Sequence, residues 1–244
     1  MTNADKSRDH NKKYYEDTYT EKKFVDPKSW PQWKLINNYV RGKCLEIGCG
    51  THPKVPVEGN YFLDISTRAV ESLKKLGAHA EVSDLCRKLP YKAEYFDFVS
   101  AFELLEHLPN DCEVIKELHR VLKKDGICAI SVPLHQSWFN KYDEIVGHQR
   151  RYEPELFDVF FRKYGFRIIR FAKIDIMHAN NFFAAFYPVA YKYLPGIYLK
   201  LTNIFEGIRF VNLIGRKMEM QNWDKSSPES LLTYCNTLLI LKKI

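Results

Sequence analysis

The segment Cys44-Leu45-Glu46-Ile47-Gly48-Cys49-Gly50 constrains this chain more than any other. A four-residue run, apolar except for one carboxylate, stops on two glycines separated by a single residue. Such a run is too short for a helix and reads as a buried strand. Glycines at its carboxyl end let a ligand approach the backbone closely, and the free N–H groups there can hold an anion. Further short apolar runs follow at Tyr61 to Asp64, Ala78 to Val82, Phe96 to Ala101 and Ile127 to Val132. Helical spacing fills two of the gaps: Thr67 to Leu76 behind a Ser66 cap, and Asp111 to Leu122 with Val114, Ile115, Leu118, Val121 and Leu122 on one face. Strands alternating with helices predict an α/β fold with a doubly wound, mostly parallel sheet covered on both sides. Such sheets bind ligands beyond the carboxyl ends of their strands.

The residues at those ends specify the ligand further. Asp64 closes the second strand, where a carboxylate can accept both hydroxyls of a ribose or cap the next helix. Asp84, in Ser83-Asp84-Leu85 after the third strand, can accept from an adenine amino group while Leu85 packs beside the ring; alone it would be a turn residue. Glu46, Gly48, Gly50, Asp64 and Asp84 at three successive strand ends point together to a nucleoside. A dinucleotide is disfavoured, because the place of its third glycine is taken by Pro53.

Around this core the chain divides into four parts. Residues 1–41 are a mixed-charge arm and a helix with Trp30, Trp33, Ile36 and Tyr39 at helical spacing. Residues 42–174 hold the core, including a polar and aromatic loop after Pro133, a helix from Pro154 to Tyr164 and a strand from Phe166 to Ile174. Residues 175–230 are expected to be a helical insertion or lid, and residues 231–244 the last strand, from Leu231 to Leu241. Within the insertion an aromatic run from Phe182 to Tyr187 is broken by Pro188, Lys192 and Pro195 before it could cross a bilayer. Leu201, Ile204, Phe205, Ile208 and Val211 form an apolar stripe that suits packing on a core or lying on a membrane. Residues 181–214 are therefore the segment on offer for peripheral membrane contact or for a homodimer interface.

Composition narrows the partners. The 244 residues suit one domain with an insertion. A net charge of +7 is spread along the chain with no basic block, so no nucleic-acid partner is expected. The six cysteines form no C-x-x-C pair, no zinc-type spacing accompanies the histidines, and no metal is expected. Residues 1–19 hold no apolar stretch of the signal-peptide kind, which predicts a reducing, cytoplasmic location.

The fourth strand continues as Phe96-Asp97-Phe98-Val99-Ser100-Ala101-Phe102-Glu103-Leu104-Leu105-Glu106-His107-Leu108. With these residues, and with Leu45 to Thr51 and Ser83-Asp84-Leu85, the chain closely resembles class I S-adenosylmethionine-dependent methyltransferases, in particular the type 11 group. The resemblance covers about residues 42–133. It implies a seven-stranded Rossmann-like methyltransferase fold and S-adenosylmethionine as cofactor, with S-adenosylhomocysteine as product. Carried onto this chain, Glu46 faces the methionine amino end, Gly48 and Gly50 line the methionine and ribose, and Asp64 with the adjoining Ile65 holds the ribose. Asp84 and Leu85 hold adenine, and Phe102 and His107 border the methyl-transfer site. Pro53, Pro56 and Gly59 depart from the family, and predict that its usual first helix is very short or absent here.

Gly147-His148-Gln149-Arg150-Arg151-Tyr152, followed by Gly165-Phe166, also resembles a pattern of that group. Arg150 and Arg151 either grip an anionic acceptor or pair with acids such as Glu153 and Glu155. His148 first, then His107 and His135, are candidate bases, each with a structural alternative. His135, Trp138 and Tyr152 join the two arginines as candidate substrate-binding residues. No N-P-P-Y motif of amino-methylating enzymes is present, which favours oxygen as acceptor atom. The expected function is transfer of a methyl group to a small or lipid-linked anionic acceptor, most simply on oxygen. The alternative is a catalytically silent protein that keeps the fold for binding or scaffolding.

Overall fold

The structure, a computed structural model, describes residue 16, residues 24–174 and residues 218–244. The parts of the arm and the insertion within 1–15, 17–23 and 175–217, including the proposed membrane or dimer segment 181–214, lie outside the described residues.

One eight-stranded sheet runs through the molecule in the order β3-β2-β1-β4-β5-β8-β6-β7. Strands β1 (Cys44–Ile47), β2 (Tyr61–Asp64), β3 (His79–Val82), β4 (Phe96–Phe102) and β5 (Leu122–Pro133) are parallel. Strands β6 (Phe166–Ile174), β7 (Met220–Asn222) and β8 (Asn236–Lys243) complete the sheet with antiparallel pairings. The doubly wound α/β expectation holds, with one strand more than the seven expected. Among the described residues the extra strand is β7, contributed by the end of the segment 175–230 expected to be a helical insertion. The last strand begins at Asn236, not Leu231, because Ser227–Leu231 forms a short helix whose Leu231 is buried in the core.

The helices follow from their apolar faces and caps. Pro31–Ile36 (α1) buries Leu35 and Ile36. Thr67–Lys75 (α2) is capped by Ser66, whose hydroxyl accepts from Ala69 N–H, and buries Ala69, Val70 and Leu73. Asp111–Val121 (α3) buries Val114, Ile115, Leu118 and Val121, the stripe legible in the sequence. In the loop after β5 lies Lys141–Val146 (α4), which opens on an Asn140/Asp143 capping box. The helix expected from Pro154 is a 3-10 turn, Pro154–Leu156, leading into Phe157–Lys163 (α5). The last, Ser227–Leu231, is α6.

Between β1 and β2 no helix forms, as the prolines predicted; residues 48–60 are turns. The main core packs Leu45, Ile47, Val99 and Ile130 of the sheet against the α3 stripe and Phe157 and Phe161 of α5. A second cluster on the sheet holds Leu35 and Ile36 of α1. Both faces are thus covered, and the strand order reverses at β1, whose neighbours are β2 and β4. In a parallel sheet this is where a crevice opens.

Gly165 ends the turn after α5 at φ 78°, and a Cβ there would lie 2.5 Å from the His119 ring. Gly165→Ala should lower stability by about 1–3 kcal/mol through left-handed strain and this clash. Urea denaturation should show a lower midpoint with an unchanged slope.

Candidate active site

The crevice is built from the ends of β1, β2, β3 and β4. Gly48 and Gly50 follow β1 with φ of 68° and 55°, a left-handed backbone that favours glycine. A Cβ on Gly48 would come within 2.6 Å of the Leu104 side chain, so the glycine lets the loop after β4 close against the loop after β1. Gly48 N–H donates to Leu63 O at 2.8 Å, tying the first loop to β2.

Asp64 is buried at the end of β2. Its Oδ2 accepts Gly50 N–H at 2.8 Å and its Oδ1 accepts Ser66 N–H at 2.9 Å. A carboxylate of this kind, with two oxygens and about four lone-pair directions, has the acceptor chemistry that vicinal hydroxyls require. Burial raises its pKa, and the N–H groups of Ser66, Gly50 and Ile65 oppose the rise. Ile65 beside it is half-buried. Ser83 N–H donates to Asp64 O at 2.9 Å, which brings Asp84 alongside. Asp84 is half-buried and its Oδ1 accepts Cys86 N–H at 3.2 Å, while Leu85 is buried in the main core. Cradle, ribose-type carboxylate and adenine-type pair therefore lie on adjacent strand ends, and these donors and acceptors fit an adenosine bearing an amino-acid tail.

Glu46 has a further role that the sequence did not disclose. Its side chain is buried, and its carboxylate accepts N–H groups from Lys54 at 2.9 Å and from Val55 at 2.9 Å. It thereby folds the turn after Gly50 back onto β1 where a helix would otherwise stand. Burial pushes its pKa up to about 7, against the pull of the Lys54 charge and the two N–H groups.

One element described in the arm reaches this end of the sheet. Glu16 Oε1 accepts Thr67 N–H at 2.7 Å and its Oε2 accepts the Ser66 hydroxyl at 3.2 Å. An acidic side chain at a helix N-terminus is favourable, and here it stands one residue beyond the Asp64 loop.

The Gly147 to Tyr152 segment differs from the acceptor-gripping expectation. Arg151 makes a fork with buried Asp143, Nε lying 3.0 Å from Oδ1 and the terminal nitrogen 2.9 Å from Oδ2. Arg150 pairs with Asp111 at 2.8 Å, and Tyr152 donates its hydroxyl to the same carboxylate at 2.7 Å. The two arginines are ion-paired, with Asp111 and Asp143 rather than Glu153 or Glu155 as partners. His135 is buried, its Nε2 3.1 Å from Leu231 O and its Nδ1 3.6 Å from Glu153, with the Trp138 ring against it. Arg150, Arg151 and Tyr152 thus brace the segment through Asp111 and Asp143. Strand-edge geometry placed the apolar neighbours within reach of prediction, but no local pattern pointed to Asp111 or Asp143.

Two of the candidate bases, His107 and His148, share one knot of side chains, while His135 stands apart from it. Gly147 closes α4 at φ 85°, and the turn lets His148 N–H reach Asp143 O at 2.8 Å. His148 Nδ1 then lies 2.7 Å from Asp143 Oδ1, and its ring stands 4.6 Å from that of His107. Burial, with His148 next, pushes the His107 pKa down to about 3. Glu106, missed in the sequence as a site residue, is buried beside them, and burial with Glu103 next pushes its carboxyl well above the ordinary range. Glu103, also missed, sits at φ 47° just after β4, where its carboxylate accepts the Ser131 hydroxyl at 2.5 Å and the Asn236 amide at 2.6 Å. A non-glycine residue held in that region marks an over-determined position. Phe102, the last residue of β4, is buried beside it.

Residues 27–170 match a protein family described as a methyltransferase domain, more than half of the 244-residue chain. Over 102 residues the chain is 28% identical to a ubiquinone biosynthesis O-methyltransferase of Psychrobacter arcticus, a match covering 36% of this chain and 40% of that one. An uncharacterized protein of Methanocaldococcus jannaschii is 33% identical over 112 residues, covering 45% of this chain and 54% of that one. The chain thus spans between two fifths and about half the length of these curated relatives. Among solved structures, a putative sarcosine dimethylglycine methyltransferase from Galdieria sulphuraria superposes with a TM-score of 0.58 at 14% identity, covering 96% of this chain and 98% of that one. An S-adenosylmethionine-dependent methyltransferase from Thermotoga maritima, a possible histamine N-methyltransferase, gives 0.57 at 16% identity and 87% of each chain. At such identities the likeness is one of fold.

Two measurements follow from this geometry. Arg151→Ala leaves the Asp143 carboxylate buried without its fork and should cost about 3–5 kcal/mol of stability by chemical denaturation; a merely acceptor-gripping arginine would cost little. For Glu46, a ligand whose ammonium meets the ionised carboxylate should bind about fivefold more tightly at pH 7 than at pH 6, because ionisation has its midpoint near pH 7. Calorimetry with S-adenosylhomocysteine should show this rise, and Glu46→Gln should abolish it. In the ligand-free protein the sign is opposite. The raised pKa contributes stability fully below the ordinary 4.5, lost as the pH climbs through about 7.

Proposed function

Because this chain belongs to the methyltransferase-domain family, we propose that it transfers the methyl group of S-adenosylmethionine to an oxygen atom of a small or lipid-linked acceptor. One observation carries the donor half of this reading: the buried Asp64 carboxylate, braced by Gly50 and Ser66 N–H groups and adjoined by Asp84, ends the strand next to the glycine loop. The oxygen half is supported by the missing N-P-P-Y motif and by the activity named for the Psychrobacter arcticus relative. The anionic character expected of the acceptor loses its argument, since the guanidinium groups of Arg150 and Arg151 are engaged by Asp111 and Asp143.

Held by Asp64, Asp84 and the Gly48–Gly50 loop, S-adenosylmethionine would supply a sulfonium methyl group for the acceptor oxygen, whose hydroxyl proton would pass to water. This chain's residues act mainly by positioning, which by itself can supply several powers of ten in rate. Asp64 and Asp84 fix the nucleoside, Glu46 sets the turn that meets the amino-acid tail, and Gly48 keeps the loops after β1 and β4 in contact. Phe102 and the Leu104–His107 segment form the floor on which the acceptor must rest. Cytoplasmic residence belongs to the same reading; among the described residues no helix is long and apolar enough to cross a membrane.

The test is calorimetric titration with S-adenosylmethionine and S-adenosylhomocysteine, followed by turnover with methyl-carbon-13 cofactor and hydroxylated aromatic or prenylated acceptors. Asp64→Ala, which removes two hydrogen bonds to a charged group, should weaken cofactor binding by about 100-fold. Carbon-13 spectra should show an O-methyl product. Cofactor binding by a folded protein that methylates nothing would favour the scaffold reading, and an N-methyl product would overturn the choice of oxygen.

A further inference from the structure

Glu106, His107 and His148 are brought together by chain segments about forty residues apart, and one polar atom of each converges on a common point. Glu106 is 0% exposed in the 3-10 turn Leu105–His107, yet neither of its carboxylate oxygens has a hydrogen-bond partner. A buried carboxylate left in this state is costly and calls for an explanation. Two imidazoles face it. His148 Nε2 lies 3.9 Å from Glu106 Oε1, and one ligand atom from each of the three residues falls within 4.8 Å of the others.

The outward nitrogens complete the pattern. His148 Nδ1 is held by Asp143, itself clamped by Arg151, and the Gly147 backbone carbonyl hydrogen-bonds the His107 ring. Histidines that bind metals almost always hand their second nitrogen to a carboxylate or a backbone carbonyl, which sets the tautomer and aims the other nitrogen at the ion. Here both histidines have that support, and the nitrogen of His148 so aimed points at the unanswered carboxylate.

We propose that Glu106, His107 and His148 bind a divalent transition-metal ion, zinc first. Two imidazole nitrogens and one carboxylate oxygen are a borderline-soft set, suited to zinc and its first-row neighbours, whereas magnesium and calcium prefer oxygen alone. Metal–ligand bonds of about 2.1 Å require the three atoms to close by roughly 1 Å, a movement within reach of side-chain torsions. Three protein ligands leave a tetrahedral ion one open position. This proposal departs from the expectation of no metal because the ligand spacing is tertiary: Glu106 and His107 are adjacent, and His148 arrives only through the left-handed turn at Gly147.

The site is tested on the full chain without a histidine tag, stripped by chelator and titrated with zinc by calorimetry, then loaded with cobalt(II) for visible spectroscopy. One ion per chain should bind, with the visible bands of a low-symmetry cobalt site and no thiolate charge-transfer band. Glu106→Gln and His148→Ala should each weaken binding at least tenfold while circular dichroism stays native. Asp64→Ala should leave the titration unchanged, so loss of the cofactor reading and loss of the metal reading give different results. Absence of stoichiometric binding by the folded protein, binding undiminished in the folded Glu106 and His148 variants, or a cobalt–thiolate band that assigns the ion to cysteines would each overturn the proposal. If a variant does not fold, the wild-type stoichiometry and cobalt spectrum still decide.

Discussion

Strand β1 is four residues long, buried at every position and hydrogen-bonded to β2 on one side and β4 on the other. Everything at the site depends on where it stops. Since strand order reverses at β1, the loops leaving β1 and β4 cannot be filled by one crossover, and a crevice opens at their carboxyl ends. Gly48 and Gly50 keep that crevice accessible, and the pairing register carries Asp64 and Asp84 to its rim. Glu46 then does with one buried carboxylate what a first helix does elsewhere: it gathers the backbone after the glycines and returns it toward β2.

A second buried carboxylate organises the opposite wall. Asp143 caps α4, clamps Arg151 and orients His148, so a single side chain couples a helix start, a loop and a ring. Asp111 performs a similar service for Arg150 and Tyr152. The basic, aromatic segment that looked like an acceptor grip is therefore the internal fastening of that wall. Its charges are spent on fixing His148 against Glu106 and His107, the same juxtaposition that makes a metal site there physically reasonable.

The division between donor and acceptor chemistry mirrors this construction. Donor-binding groups sit on strand ends whose positions follow from the sheet, so a family-wide cofactor survives large changes in sequence. The loops beyond those strand ends are not dictated by the sheet in the same way. Fold likeness at 14–16% identity accordingly speaks for the scaffold and leaves the acceptor to experiment.

Much of the donor side was legible without tertiary information. Short apolar runs ending in Gly48, Asp64 and Ser83-Asp84 determined β1, β2 and β3 and their ligand-facing ends, because strand burial and strand termination are local properties. The Ser66 cap, the α3 stripe and the lack of a helix after Gly50 were local in the same sense. The partners of Arg150 and Arg151, the clamp on Asp143, the isolation of Glu106 and the strand at Met220–Asn222 were not. Each depends on residues distant in the chain meeting across the sheet, and hydrophobic periodicity carries no information about which distant charge a charge will meet. The sequence by itself determined the scaffold and the strand ends that a nucleoside would meet; only the tertiary structure decided that the paired arginines are held by Asp111 and Asp143 and that two histidines stand beside one buried carboxylate.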